Sequence, residues 1–413
     1  MPEHLITTRR GADLLSLSLM FVFVLAAMAL SLMPVITTQL RASLGMPDAE
    51  IGLLTSVFMG FYGAAGIVSG FAAPRWGGRL LGVSCGCFFL GSLIFALSSN
   101  LAGFLVGRAL QGMGGGTVVA TCNAVLAYTL PPKWLGRAWG IVGIGFGLGS
   151  TMAFFMMPAI QEAGGYRAVF LTNAGLSLAV GVAVMCHRAA RALPRHPAGT
   201  TSFRGLARSL GAAITNRRVL ILGITNAAAL ALGVGAMAWA PSFLQDIYGA
   251  PEATSMYVIA GLGVAQIIGN PLGVVAAAKW GKYRVLVGGM IAILVTTVIT
   301  GVVPGVPLIA TMVIIAAFFG MFFFPAMLAY IPEVVAKPEQ VGAASGLNTS
   351  LGFVGSLVAP WLFGLILDAG HQSKGSYIAG FAMLGAFGVA ALISLVFFRP
   401  ATARPASEAI GEG

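Results

Sequence analysis

Apolar residues in this chain do not alternate with polar ones; they run on uninterrupted. The stretch LLSLSLMFVFVLAAMALSLMPVI from Leu14 and the stretch YIAGFAMLGAFGVAALISLVFF from Tyr377 contain no charged residue. Each is about 20 residues or longer, enough for a helix to cross a hydrocarbon layer of roughly 30 Å. In lipid the backbone amides must be satisfied without water, so long apolar runs predict helices. Twelve such runs are predicted, centred near residues 26, 62, 89, 116, 149, 178, 232, 266, 294, 319, 354 and 387. The fold class is therefore all-α integral membrane, with twelve transmembrane helices in two six-helix bundles. The longest polar stretch divides them: an N-terminal bundle over 1–187, a basic linker over 188–218 and a C-terminal bundle over 219–413.

Composition agrees with that division. Only 8% of the 413 residues are charged and 58% are hydrophobic, against about 25% charged in a soluble domain. The net charge of +11 raises nucleic acid as a partner, but its distribution excludes that. Nineteen of the 23 Lys and Arg residues fall on the side that carries the termini, seven of them arginines between Arg188 and Arg218. Arg41, Arg167 and Lys374 fall on the other side, and Arg108 lies within a span. By the positive-inside rule both termini are expected in the cytoplasm. The first apolar run follows Arg9 and Arg10, but it is too long for a signal peptide and is followed by further spans. In the linker Phe203, Leu206, Leu210 and Ile214 recur at helical spacing opposite Arg204 and Arg208, a pattern for lying on membrane lipids. Cys85, Cys87, Cys122 and Cys186 have neither metal-ligand nor disulfide-framework spacing. No cofactor and no resident metal is implied.

The two halves echo each other. Trp76-Gly77 recurs as Trp280-Gly281, Ala127-Tyr128 as Ala329-Tyr330, and Pro158 as Pro360. The near-constant offset argues for a duplicated six-helix unit, a plan by which secondary transporters build a substrate site between halves. Gly66 and Gly70, Gly145 and Gly149, Gly269 and Gly273, and Gly342 and Gly346 are spaced for close helix packing.

Particular motifs carry a resemblance. The segment from Gly70 through Pro74, Arg75, Gly77 and Gly78 to Arg79 resembles the loop between spans 2 and 3 of the major facilitator superfamily. Arg108-Ala-Leu-Gln111-Gly112 resembles that family's fourth-span motif, and Pro131 to Gly140 its entry into span 5. Gly165 to Phe170 resembles its entry into span 6. The resemblance implies a secondary transporter in a cell inner membrane, working by alternating access, with Gly70, Arg75, Gly77, Arg79 and Gln111 as gating residues. Pro74 stands where the family has an acid that latches the cytoplasmic side. Ala153-Phe154 stand where the drug-antiporter branch has Gly-Pro, which counts against that branch.

Candidate chemistry is sparse. All twelve acids and all four histidines fall in loops, tails or helix ends, so no titratable group is expected at membrane depth. Arg108 is the one charge there. Three roles stand open for it: a guanidinium satisfied by carbonyls and Gln111, a gating or coupling group, or an attractor for an anionic solute. Tyr62, Asn123, Asn226, Trp239, Gln266, Tyr330 and Asn348 are the polar or amphipathic side chains placed to line a cavity, alongside the alternative of interhelical bonding. Trp239-Ala-Pro241 and Phe324-Pro325 are expected to break or kink spans 7 and 10. Met152, Met156 and Met157 are spaced for a soft metal such as Cu(I), but methionine is common in apolar spans. The expected function is transport of a small solute, leaning to an anion, by a monomer. A proton-coupled drug antiporter is the alternative, and a non-transporting receptor or assembly factor a more distant one. No nucleophile, base or metal cluster in the spans points to an enzyme.

Overall fold

The computed structural model describes residues 8–76, 78–186, 211–335 and 341–398. They form helices α1 (Arg9–Leu44), α2 (Asp48–Trp76), α3 (Arg79–Leu97), α4 (Leu101–Thr129) and α5 (Pro132–Cys186). The second half holds α6 (Arg217–Tyr248), α7 (Glu252–Trp280), α8 (Lys282–Thr300), α9 (Val306–Phe322), α10 (Phe324–Val334), α11 (Val341–Ala369) and α12 (Lys374–Val396). Helix α5 contains two crossings, because Gly164 and Gly165 leave helical geometry and Gly165 takes φ 68°. Helices α9 and α10 share one crossing, interrupted at Phe323 just before Pro325. Twelve crossings result, as the hydropathy pattern requires. Span 10 thus breaks where its Phe-Pro pair stands. Span 7 does not: α6 continues through Pro241, which is buried.

Burial sorts the helices by position. In the most apolar windows of α1 and α6, 94% and 72% of residues are inside the protein. Helices apolar all round and buried all round are central. Along α9 and α10 the share is 22%, and most residues of α9 are half-buried, so that crossing lies nearer the periphery. Within the first half α1 packs on α5, and α2 and α3 pack on α4. Within the second half α6 packs on α11 and α12, and α7 on α9. Between halves, α2 meets α11 and α5 meets α7.

The duplication read from the sequence has structural counterparts. Trp76 ends α2 and Trp280 ends α7; Pro158 lies inside α5 and Pro360 inside α11. Helices α1 and α6 both end in a left-handed glycine, Gly45 at φ 60° and Gly249 at φ 62°. Each glycine amide bonds back four residues, to Arg41 and to Gln245, at 3.0 Å. Such caps satisfy carbonyls that the helix end leaves free, and glycine adopts the conformation without a Cβ penalty. The paired glycines pack as their spacing suggests: Gly145 and Gly149 lie against α1 at Met20 and Val24, and Gly269 and Gly273 against α9 at Phe318 and Phe322. Gly346 has open space around it. Residue 187 and, of the basic linker, 188–210 lie outside the described residues.

Candidate functional site

Helix α4 presses Arg108 into the first bundle. Its glycines allow this: a Cβ at Gly112 or Gly116 would meet the backbone carbonyl of Phe58 or Tyr62 on α2. A Cβ at Gly107 or Gly114 would meet that of Gly91 or Ser84 on α3. Backbone approach of this kind brings the fully buried Arg108 within reach of two helices. Its Nη1 donates to the Ala29 carbonyl of α1 at 2.7 Å and to Gln111 Oε1 at 2.8 Å, and its Nε to the Leu54 carbonyl of α2 at 3.3 Å. The guanidinium carbon lies 4.3 Å from the centroid of the Phe58 ring, where the face of the ring attracts a cation. Gln111 Nε2 donates onward to Ser92 Oγ at 2.8 Å, which also accepts from Asn173 Nδ2 at 2.8 Å. A polar chain therefore crosses α4, α3 and α5. No ion pair among the described residues includes Arg108, and its Nη2 finds no partner. The site is a positive charge compensated by carbonyl dipoles and a ring, with the two N–H donors of Nη2 to spare.

The second bundle contributes amides. Asn226 on α6 donates from Nδ2 to the Asn348 carbonyl of α11 at 3.0 Å. Both side chains are buried, yet Asn226 Oδ1 and both polar atoms of the Asn348 amide lack a partner. Gln266 Oε1 on α7 and Thr151 Oγ1 on α5 are in the same condition. Buried polar groups are nearly always bonded, so these four side chains have capacity for water or a solute. Trp239 Nε1 instead donates to the Pro360 carbonyl at 3.0 Å, and its ring stacks on Phe363. Tyr62 leans on Phe353 across the α2–α11 contact, with ring centroids 4.6 Å apart. Tyr330 stands apart, packed against Phe398 and 5.7 Å from the Lys282 ammonium, which is ion-paired with Glu333. Arg79 is exposed at the start of α3. The surroundings of Gly70, the side chains of Arg75 and Asn123, and residue Gly77 lie outside what the structure describes.

A further constellation joins the two halves at the face away from the termini. Arg41, near the end of α1, donates from Nε to Asp48 Oδ1 and from Nη1 to Asp246 Oδ2, both at 2.6 Å. Tyr377 donates to Asp246 Oδ2 at 2.5 Å, and Gln372 Nε2 donates to Asp48 Oδ2 at 2.9 Å. The amides of Asp48 and Ala49 donate to Asp368 Oδ1 and Oδ2 at 2.8 Å each. One turn back along α1, Thr38 Oγ1 donates to Gln245 Oε1 at 2.6 Å. Every side-chain hydrogen bond between halves found among the described residues belongs to this end, so this face is closed. Asp48 occupies a helix end, as expected, but it is wholly buried rather than solvated. Sequence reasoning missed the cluster because an acid at a span end reads as a surface group. The available signal was Asp48, Asp246 and Asp368 each lying at the end of a span away from the termini, where Arg41 and Lys374 are the nearby basic residues.

The family description "Major Facilitator Superfamily" matches residues 17–265 and 227–412. The chain belongs to the Major Facilitator Superfamily. That family is one of multi-pass membrane transporters, and the chain spans under a third of the length of the first curated relatives it matches. A cis,cis-muconate transport protein of Acinetobacter baylyi is 23% identical over 363 residues, 84% of each chain. A multidrug resistance protein B homologue of Mycobacterium tuberculosis is 37% identical over 123 residues, which is 29% of this chain and only 23% of that protein. Among solved structures, a bacterial homologue of the human lysosomal transporter Spinster, inward-facing and unoccupied, aligns with TM-score 0.73 at 16% identity. That alignment covers 95% of this facilitator and 96% of the homologue. At that identity the likeness concerns the fold alone, and it extends over the whole twelve-helix plan.

Proposed function

We propose that this facilitator carries a small organic anion across a cytoplasmic (inner) membrane by alternating access. It works as a monomer among membrane lipids, with both termini inside and the solute held between a first bundle over 1–187 and a second over 219–413. The observation that carries the anion reading is Arg108: fully buried, facing no acid among the described residues, with Nη2 unbonded. An arginine at membrane depth costs at least about 2.5–3.5 kcal/mol on insertion scales, a cost that an anionic solute offsets each time it binds. In the second bundle the unpartnered Nδ2 of Asn348 is the amide donor left for such a solute, while the free oxygens of Asn226 and Gln266 can accept from water or from a hydroxyl. A relative named for muconate and matched over most of its length supports the same class of cargo.

The drug-antiporter reading rests on the shorter match to a multidrug resistance protein. Proteoliposomes separate the two readings. Labelled cis,cis-muconate, glucose and ethidium are offered with and without a pH gradient. The anion reading expects muconate flux without need of the gradient, reduced at least about tenfold in Arg108→Ala. Gradient-driven ethidium export without muconate flux sinks it in favour of drug efflux, and glucose flux alone sinks both.

A further inference from the structure

Helices begin with amides that have no acceptor inside the helix, and a nearby side chain normally supplies one. Here Thr8 caps α1, Asn100 caps α4, Asn216 caps α6 and Ser373 caps α12. Helix α2 is served differently. Its first two amides, Asp48 and Ala49, donate to the two carboxylate oxygens of Asp368, at the far end of α11 and 320 positions along the chain. The positive end of a helix favours an anion there. Gly364, one turn earlier on α11, lies against the Asp48 carbonyl with no room for a Cβ, which seats the two helix ends together. Beyond Asp368 the chain turns through His371 and Gln372 at φ 51° and 54°. Residues other than glycine adopt that conformation only where surrounding contacts hold it. The turn delivers Gln372 to Asp48.

We propose that Asp368 is the latch of the outer gate, closing the face by capping α2 from the other half of the molecule, with Arg41 as the pivot beside it. Opening leaves two sets of contacts intact. Arg41 and Asp48 stay together in the first half, and Asp246 and Tyr377 stay together in the second. What parts is Asp368 from the α2 amides, Gln372 from Asp48, Arg41 from Asp246 and Tyr377, and Thr38 from Gln245. Contacts that exist in one state only are the ones that bias a two-state equilibrium. This inference rests on the alternating-access reading, but its test reads shape and not flux, so either can fail alone.

The test places spin labels on Ser43→Cys and Val302→Cys, exposed residues at the outer ends of the two halves, with the native cysteines replaced by serine. Pulsed electron resonance in lipid nanodiscs reads the distance between them. The otherwise unaltered protein should give mainly one short distance. Asp368→Ala should add a longer one, raising the open-to-closed ratio on the order of tenfold. Gln372→Ala and Asp246→Asn should shift the ratio in the same direction by less. Glu162→Ala, an exposed outer acid outside the cluster, should leave it unchanged. An unchanged distribution in folded Asp368→Ala overturns the latch, as does an equal shift in Glu162→Ala. If Asp368→Ala does not fold, Gln372→Ala and Asp246→Asn decide alone, and no shift in either overturns it.

Discussion

At the scale of single residues, Arg108 is held by a chain and not by a partner. Ala29, Leu54 and Gln111 each accept one bond, and Gln111 hands the network on to Ser92. Removing a link leaves buried groups unsatisfied, which costs about 1–3 kcal/mol. Gln111→Leu should therefore lower the melting temperature in detergent while leaving Arg108 in place. A melting curve unchanged from the parent protein would show that water replaces the amide. Arg108 was legible in the sequence because it stands alone in an apolar run, where its charge has to be explained. Asp48 was not, because a carboxylate one residue past Pro47 looks like an ordinary solvated helix start. Its burial depends on α11 and α12, more than 300 residues away, arriving at the same place.

Helices are the scale at which the sequence speaks most clearly. Hydropathy places twelve crossings because lipid leaves the backbone few alternatives, whereas the matching caps on α1 and α6 emerge only in the structure. The outcome at proline is less legible. Phe324-Pro325 interrupts its span and Trp239-Ala-Pro241 does not. Packing accounts for the difference: α6 is enclosed, with Trp239 bonded to α11, while most residues of α9 are only half-buried. Close approach of α4 to α2 gives a direct prediction. Gly112→Ala would push a methyl group into the Phe58 carbonyl, and overpacking of this kind costs about 1–3 kcal/mol. Gly143→Ala meets open space and should be neutral or stabilising by up to about 1 kcal/mol. Thermal melts of the pair check both. Equal melting temperatures would mean that the two helices part easily and that the glycine face has no packing role.

At the scale of the whole molecule, two halves related by duplication meet through α2 with α11 and α5 with α7, and their described side-chain hydrogen bonds lie at one end only. That asymmetry sets a resting state closed away from the termini. The sequence adds to it: Pro74 replaces the acid that the family resemblance puts on the opposite, cytoplasmic side. Restoring an acid with Pro74→Asp should shift the Ser43–Val302 distance toward the longer, outwardly open value. A shift toward the shorter value would show that the inner face is held by other means.

Alternating access requires that the face closed away from the termini open in each turnover. Thr38 and Gln245 face each other across that closure at 2.6 Å, so Thr38→Cys with Gln245→Cys can be bridged by a short, reducible bis-methanethiosulfonate in a background free of native cysteines. Muconate uptake into proteoliposomes should stop when the bridge forms and return on reduction. Undiminished uptake through the bridged protein would contradict alternating access.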